Sequence, residues 1–465
     1  MQKKEVICMD LGEKENPITD VQVMDFELGN GEVISLEIPK TVYPPREDSA
    51  LLIDALRDLK GDGLAMEIGC GSGIISIIMA LNNWVVEACD INPYAIAAAK
   101  ENSVKACVNG KINFKEGGFG DENFSIPNNT KLIFWNLPYL NPPSPGDPRL
   151  GWIEEASMSD LGEKGWGNHL VDYLEGNKED LEPDLLVILL QRKYPESPSS
   201  TDYWIKLGWS HRVIKSLWIH NEKIEVVAYW MPGQGVPATI LEECNSTMDE
   251  AKKLSKNGWQ RIRTEKQIEG RGRRDSNWSS DNKDLLATWN ISKTILETIR
   301  PGIIQTIVGT RIANLLQQYN KWPNDIYDKK GKKIGGILIE MDNQDECLRI
   351  GVGINYSNKK IEGGDAVGWS EKMPETSKIS LFNMIDATLS TLFEEHKLLD
   401  NNLASNSIKT ESWRGISKLL SRGYSLRIKD EKTRVVGMND DGELITLSGK
   451  REDKTGNLDK IYWLF

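Results

Sequence analysis

Apolar residues recur along this chain at two periods, and the shift from one to the other marks its elements. Leu64-Ala65-Met66-Glu67-Ile68 is a short, nearly continuous apolar run, as expected of a strand covered on both faces. It enters Gly69-Cys70-Gly71-Ser72-Gly73, followed by an apolar helix over 74–81. A second strand over 85–89 ends at Asp90, and a later one over 131–135 ends at Asn136. Upstream, Leu52, Ala55, Leu56 and Leu59 share one face of a helix over 50–59, with Ser49 as N-cap and Gly61 as stop. Residues 1–40 read as a β-rich lead-in that turns at Gly29-Asn30-Gly31. Alternating strands and helices predict an α/β sheet for this half.

Proline and glycine cluster over 230–237, which predicts a linker. Beyond it, a strand over 239–243 runs into Ser246-Thr247, whose bland reading is a helix N-cap with Asp249 and Glu250 in the first turn. A strand over 260–264 and an apolar run over 284–289 flank a loop rich in glycine and arginine. Asn401-Asn402 and Asn406 predict a second linker, followed by a short helix over 413–420. Short strands over 424–429, 433–437 and 442–447 close the chain, with Asp440-Asp441-Gly442 as a hairpin signal. The expected domains are 1–40, 41–232, 237–400 and 405–465.

Composition narrows the function classes. At 465 residues, with 39% hydrophobic and 27% charged positions, the chain can bury more than one core. A net charge of −12 argues against general nucleic-acid binding. No apolar run approaches the ~18 residues of a spanning helix. The six cysteines form no C-x-x-C pair, so free thiols in a reducing cytoplasm are expected. The four histidines lack ligand spacing, which argues against a structural zinc site.

Glycines after a strand let backbone approach a ligand, and an acid ending the next strand can accept hydrogen bonds from ribose hydroxyls. Glu67, Gly69, Gly71 and Gly73 form E-x-G-x-G-x-G, with Asp90 as that acid. This pattern resembles class I S-adenosylmethionine-dependent methyltransferases. Asn136-Leu137-Pro138-Tyr139 resembles the N-P-P-Y signature of amino-methyltransferases, with leucine in place of one proline. The resemblance implies that Asn136 and the next carbonyl orient the target amino group, while Tyr139 packs on it. Val42-Tyr43-Pro44, Glu47-Asp48-Ser49, Asp90-Ile91-Asn92-Pro93-Tyr94 and a Gly-rich segment at 160–167 are similar to the HemK-type branch. That branch methylates a glutamine in the Gly-Gly-Gln loop of translation release factors, and its short form implies a small zinc-binding activator subunit. Lysine or a nucleic-acid amino group are alternative acceptors, and a non-catalytic scaffold recruiting the second half is a rival reading.

The loop at Gly270-Arg271-Gly272-Arg273-Arg274 offers planar guanidinium donors suited to phosphate or carboxylate. With Lys321-Trp322-Pro323-Asn324-Asp325, Lys333 before Ile334-Gly335-Gly336-Ile337-Leu338-Ile339-Glu340, and Ile350-Gly351-Val352-Gly353-Ile354-Asn355, it resembles the catalytic domain of biotin protein ligases. The resemblance implies that Ser246, Thr247, Met248, Gln267, Gly270, Arg271, Gly272 and Lys333 bind biotin. It implies that Arg273, Arg274, Trp278, Lys321, Asn324 and Asn355 bind ATP, and that Lys333, Arg273, Lys321 and Asn136 are the catalytic groups of the two halves. Asp275-Ser276 stand where the family has Gly-Arg, which predicts weaker retention of the adenylate. A lipoate ligase shares the fold but lacks this motif set.

The expected fold is thus α/β: a class I methyltransferase Rossmann-like sheet, an α+β ligase domain, and an SH3-like β-barrel at the C-terminus. S-adenosyl-L-methionine, biotin, ATP and Mg are the implied cofactors. A biotin carboxyl carrier protein and a release factor are the implied partners, with no membrane and no DNA.

Overall fold

The computed structural model describes residues 14–15, 21–27, 33–61, 63–141, 159–160, 164–272, 277–278, 280–341, 347–361, 364–399, 405–428, 431–448, 451–455 and 461–464. The chain forms two compact units, Met1–Met231 with Lys397–Leu399, and Pro232–His396 with Asp400–Phe465. Among the described residues, no helix is long and apolar enough to cross a membrane. None of the five described cysteines is in a disulfide.

The first unit begins with an antiparallel sheet of β1 (Lys14–Glu15), β2 (Val21–Glu27) and β3 (Val33–Pro39). Ile34, Leu36 and Ile38 alternate inward on β3. The turn expected at 29–31 lies outside the described residues. Helix α1 spans Glu47–Leu56, not 50–59. Arg46 is its N-cap, and Glu47 and Asp48 fill the first turn, where carboxylates suit the positive helix end. The Ser49 hydroxyl donates to Asp48 Oδ1 at 3.3 Å, so it does not cap. Leu59 lies past the helix end and is still buried.

The main sheet alternates strands with helices: β4 (Leu64–Ile68), α2 (Ile74–Leu81), β5 (Val85–Asp90), α3 (Pro93–Lys105), β6 (Ile112–Glu116), β7 (Thr130–Asn136), α4 (Trp166–Gly176), β8 (Leu186–Tyr194), α5 (Thr201–Lys206), β9 (Ser210–Ile219) and β10 (Glu222–Trp230). Its order is β6-β5-β4-β7-β8-β10-β9. Strands β4 to β8 run parallel and β10 is antiparallel to both neighbours. The chain leaves β4 toward β6 and returns on the other side at β7. That reversal opens a crevice at the carboxyl ends of β4 and β7, where ligands bind in such sheets.

The second unit follows as β11 (Thr239–Cys244), α6 (Thr247–Ala251), β12 (Gln260–Gln267), β13 (Gly270–Arg271), β14 (Asn277–Trp278), β15 (Leu285–Ser292), α7 (Pro301–Leu315), β16 (Tyr319–Lys321), β17 (Asp325–Tyr327), β18 (Lys333–Glu340), β19 (Cys347–Ile354), β20 (Lys359–Ile361), β21 (Gly364–Ala366) and α8 (Lys378–Phe393). The sheet order is β11-β12-β15-β19-β18-β17-β16, with β21 beside β18 and β20 beside β21. Alternation on β15 divides its faces. Leu285, Ala287, Trp289 and Ile291 enter the core with α7 and α8, while Thr288 and Asn290 bond to α6 residues on the other face.

Helix α9 spans Ser405–Leu420, so Asn406 is helical and the helix expected at 413–420 begins eight residues earlier, while Asn401-Asn402 lie outside the described residues. Ile408, Ser412, Ile416 and Leu419 form its buried stripe, and Ser412 satisfies its hydroxyl on Ile408 O at 2.8 Å. That serine hid the stripe from a hydrophobic pattern. Strands β22 (Ser425–Ile428), β23 (Glu431–Met438), β24 (Leu444–Ser448), β25 (Arg451–Thr455) and β26 (Ile461–Leu464) form a ladder of order β25-β24-β23-β22-β26. No pairing joins the ends of that ladder among the described residues, so a closed barrel is not observed.

Asp386 of α8, 4% exposed, accepts Trp259 Nε1 at 2.7 Å and Trp289 Nε1 at 2.9 Å. Its other oxygen accepts Arg261 Nε at 2.8 Å. An Asp386→Ala variant leaves a buried guanidinium without its counter-charge and two indole N–H groups without an acceptor, and should lose about 3–5 kcal/mol of stability. Chemical denaturation of the second unit measures this, and a loss below ~1 kcal/mol would contradict the assignment.

Candidate active sites

In the first unit, the turn after β4 has three glycines at positive φ: Gly69 at 70°, Gly71 at 52° and Gly73 at 84°. A side chain on Gly73 would meet Ala99 Cβ at 2.8 Å, so this glycine lets α3 pack against the turn. A side chain on Gly71 would meet nothing within 4 Å, so the turn backbone faces open space there. Asp90 closes β5 and accepts the N–H of Gly71 at 2.8 Å and of Asn92 at 2.9 Å. The acid therefore holds the glycine turn as well as facing the crevice. Burial raises its carboxyl above the usual range, against the lowering of those two bonds. Glu67 lies deeper, 2% exposed, and accepts the Ser76 hydroxyl of α2.

Asn136 ends β7, the strand beside β4. Its Nδ2 donates to Asp48 Oδ2 at 3.0 Å, and its buried Oδ1 has no hydrogen-bond partner among the described residues. Asp48 is 2% exposed, and its other oxygen takes the Ser49 N–H at 2.6 Å. The amide is thus oriented with its acceptor oxygen unspent. Tyr139 is buried close to Asp48, and burial pushes its hydroxyl far up.

In the second unit, a cavity of about 500 Å³ is lined by Ser246, Thr247, Met248, Gln267, Arg271, Gly272, Trp278, Asn324, Asp325, Lys333 and Asn355, among others. Its floor is sheet whose glycines let Trp278 and Met248 lie close to the backbone. Gly336 and Gly353 face each other across β18 and β19. The Trp278 indole lies over both: a Cβ on Gly353 would meet its Cε2 at 2.7 Å, and one on Gly336 its Cζ3 at 3.2 Å. Gly351 makes the same allowance for Met248 Sδ, at 2.7 Å. Gly270 opposes Trp278 in the β13–β14 hairpin.

Thr247 donates its N–H to Gln267 Oε1 at 2.9 Å and accepts the Thr288 hydroxyl at 2.9 Å. Ser246 is the N-cap residue of α6 by backbone position, yet its hydroxyl makes no capping bond. That oxygen is buried and unpartnered among the described residues, as are Trp278 Nε1 and Asn355 Oδ1. Buried polar groups normally find partners, so such atoms mark where a ligand's donors and acceptors belong. Lys333 Nζ lies 2.7 Å from Asp325 Oδ1 and 5.4 Å from the Trp278 ring centre. Lys321 sits behind the cavity wall, 3.5 Å from Asp325 Oδ2 and 3.1 Å from the Tyr327 hydroxyl. Arg271 bonds Asp249 at 3.0 Å and Glu340 at 3.3 Å. Arg273, Arg274 and Asp275-Ser276 lie outside the described residues.

Residues 47–126 match the methyltransferase small domain model, and residues 242–356 match the biotin/lipoate A/B protein ligase family model. The chain thus carries one segment similar to a methyltransferase family and, after it, one similar to the biotin/lipoate protein ligase family. A Methanocaldococcus jannaschii protein, whose name provisionally makes it a protein N5-glutamine methyltransferase, is 39% identical over 23% of this chain and 53% of its own length. The release factor glutamine methyltransferase of Dictyoglomus turgidum is 33% identical over 23% of this chain and 43% of its own. The chain thus spans about half the length of the curated relatives it matches. Among solved structures, a biotin protein ligase from Aquifex aeolicus in complex with biotin and ATP aligns at 19% identity and a TM-score of 0.39. That alignment covers 49% of this chain and 98% of the other.

Two residues outside the sequence-based site lists emerge. In the first unit, Asp48 orients Asn136; its only signal was a place in a motif 88 residues away. In the second unit, Asp325 stands between Lys321 and Lys333 and holds Lys333 at the cavity. Leu137 also acquires a reason. Its N–H donates to Leu190 O at 3.2 Å, a bond proline cannot make, and its side chain is buried.

A Gly353→Ala variant should displace the indole and weaken binding of a non-hydrolysable acyl-adenylate analogue at least ~10-fold by calorimetry. Unchanged affinity would mean that the glycine floor is incidental. Glu67 gives a pH test. Burial pushes its carboxyl from 4.5 to about 8. Below pH 4.5 its contribution to stability is fully present; as pH rises toward 8 the unfolded chain loses the proton first, and the contribution disappears. The wild type should therefore lose a few kcal/mol more than Glu67→Gln between about pH 5 and about pH 8.5. Parallel curves of Tm against pH would refute this.

Proposed function

We propose that the chain is a bifunctional enzyme. Its second unit biotinylates a carrier-protein lysine through biotinyl-5'-AMP, and its first unit transfers a methyl group from S-adenosylmethionine to a protein glutamine amide. The observation that carries the ligase reading is the cavity itself, in the size range of small-molecule sites and with unpartnered Ser246, Trp278 and Asn355 atoms around a glycine floor. The Ser246 hydroxyl and the Thr247–Gln267 pair suit the ureido head of biotin, and Lys333 its carboxylate and the α-phosphate. Asn324, Asn355 and Trp278 then serve the nucleotide.

In the first step the biotin carboxylate attacks the α-phosphate of ATP and pyrophosphate leaves. Two anions brought to ~4 Å repel by about 4 kcal/mol at an effective dielectric near 20. Lys333 and the arginines of the loop offset that repulsion, with Mg²⁺ on the phosphates. In the second step an unprotonated lysine amine attacks the acyl carbon and AMP leaves. The strands after α9 are read as an SH3-like cap on this unit.

For the first unit, the carrying observation is Asn136, with Nδ2 held by Asp48 and Oδ1 open. An amide N–H donated to that oxygen is turned so that its nitrogen faces the crevice. S-adenosylmethionine supplies an activated methyl; positioning is what the protein adds. Open backbone at Gly71 and the carboxylate of Asp90 fit the cofactor. The Leu137 N–H bond supports a working acceptor loop over a degenerate scaffold. A release factor is the proposed protein substrate, with a small zinc-binding activator as a proposed partner.

Mass spectrometry of a release factor, incubated with this protein and S-adenosylmethionine with and without such an activator, tests the reading. A methyl on the Gly-Gly-Gln glutamine, reduced at least ~100-fold by Asn136→Ala, is expected. In parallel, Lys333→Ala should lower biotinyl-AMP formation by roughly 100-fold. Absence of methylation in both mixtures, with biotinylation intact, would remove the glutamine acceptor from the proposal.

A further inference from the structure

The proposed ligase reaction uses Lys333 but gives no role to the basic turn before it. Asp328, 3% exposed, accepts the N–H groups of Lys330 at 2.8 Å and Lys332 at 2.9 Å. The Tyr424 hydroxyl donates to Lys329 O at 3.3 Å. The turn backbone is thus tied down from inside while Lys329 and Lys330 are exposed. The next residue pairs beyond the turn reach the cavity directly. Lys333, a lining residue, pairs with Ala366 of β21, and β21 in turn pairs with β20. On β20, Ile361 lines the cavity and its neighbour Lys360 is exposed. Lys329, Lys330 and Lys360 ion-pair with no carboxylate among the described residues, whereas Lys332 lies 3.5 Å from Asp365, the residue opposite Lys360 in the β20–β21 pairing and the one carboxylate recorded within this group. Exposed cations therefore gather beside the cavity of a chain whose net charge is −12.

We propose that Lys329, Lys330 and Lys360 form a docking rim for an acidic protein face that presents the lysine to be modified. The proposal rests on the ligase reading and adds to it the charge of the second substrate. Exposed rim charges act through encounter and orientation, so they set the association rate and its salt dependence, not the chemistry at Lys333. A nucleic acid is the lesser match, because the surrounding negative charge repels a polyanion that extends past the rim.

The test compares the wild type with a triple variant, Lys329→Glu, Lys330→Glu and Lys360→Glu, using an acidic biotin carrier domain with its lysine unmodified. The KM for that domain should rise roughly tenfold and the salt dependence of kcat/KM should weaken, while biotinyl-AMP formation without the domain stays unchanged. Equal KM and equal salt dependence in the two proteins would overturn the rim. Fluorescence anisotropy of the labelled domain without nucleotide reads docking apart from chemistry. If the wild type forms no adenylate, the ligase reading fails by itself, and equal anisotropy affinities still overturn the rim. Loss of duplex DNA binding in the variant, with carrier KM unchanged, would also overturn it.

Discussion

A carboxylate that gives up its water must find donors inside the protein, and Asp386 finds them at and just before two strands of the sheet it faces. Two indole N–H groups and one guanidinium N–H converge on it from Trp259, Trp289 and Arg261. Desolvating such a group costs several kcal/mol unless its partners are in place. Helix α8 is therefore held to one face of the sheet by a contact that tolerates little displacement. Arg261 passes the constraint on, since its Nη2 donates to Pro232 O at 2.9 Å, where the second unit begins. With that face closed, the opposite face is left for a ligand.

Glycine makes the opposite face usable. A sheet normally presents side chains on both sides, and a planar ligand or indole could not lie against it. At Gly336, Gly351 and Gly353 the side chain is missing where Trp278 and Met248 press on the backbone. The first unit uses the same device at a strand end, where Gly71 leaves backbone open to the crevice. In both places nearby polar atoms are buried without partners: Asn136 Oδ1 in one, Ser246 Oγ and Asn355 Oδ1 in the other. Such atoms cost stability in an empty site and return it when a ligand arrives.

Charge is arranged more sparingly than the basic motifs suggest. Around the cavity, Arg271, Lys321 and Lys333 are matched by Asp249, Glu340 and Asp325. The described part of the site is thus close to neutral. Cations held by carboxylates can sit side by side without repelling one another, but they offer less net attraction to two anions.

How much was legible depended on the range of the interaction. Strand β4 and helix α2 begin and end where the hydrophobic pattern places them, at Leu64–Ile68 and Ile74–Leu81, because period and glycine punctuation are local properties. The glycine, Asn136 and Lys333 motifs were likewise readable, since short spacing carries their geometry. Only the end of helix α9 stands out in the sequence because Ser412 interrupts its packed apolar face, and no local pattern marks the hairpin of β9 and β10. The sequence by itself pointed to two family resemblances, their order and many of the residues that line the cavity. Only the tertiary structure decided which carboxylate holds which group: Asp48 on Asn136 across 88 residues, Asp386 on Trp259 across 127, and Asp325 between two lysines. Those pairings follow from how sheets and helices bring distant segments together, and no local pattern encodes that.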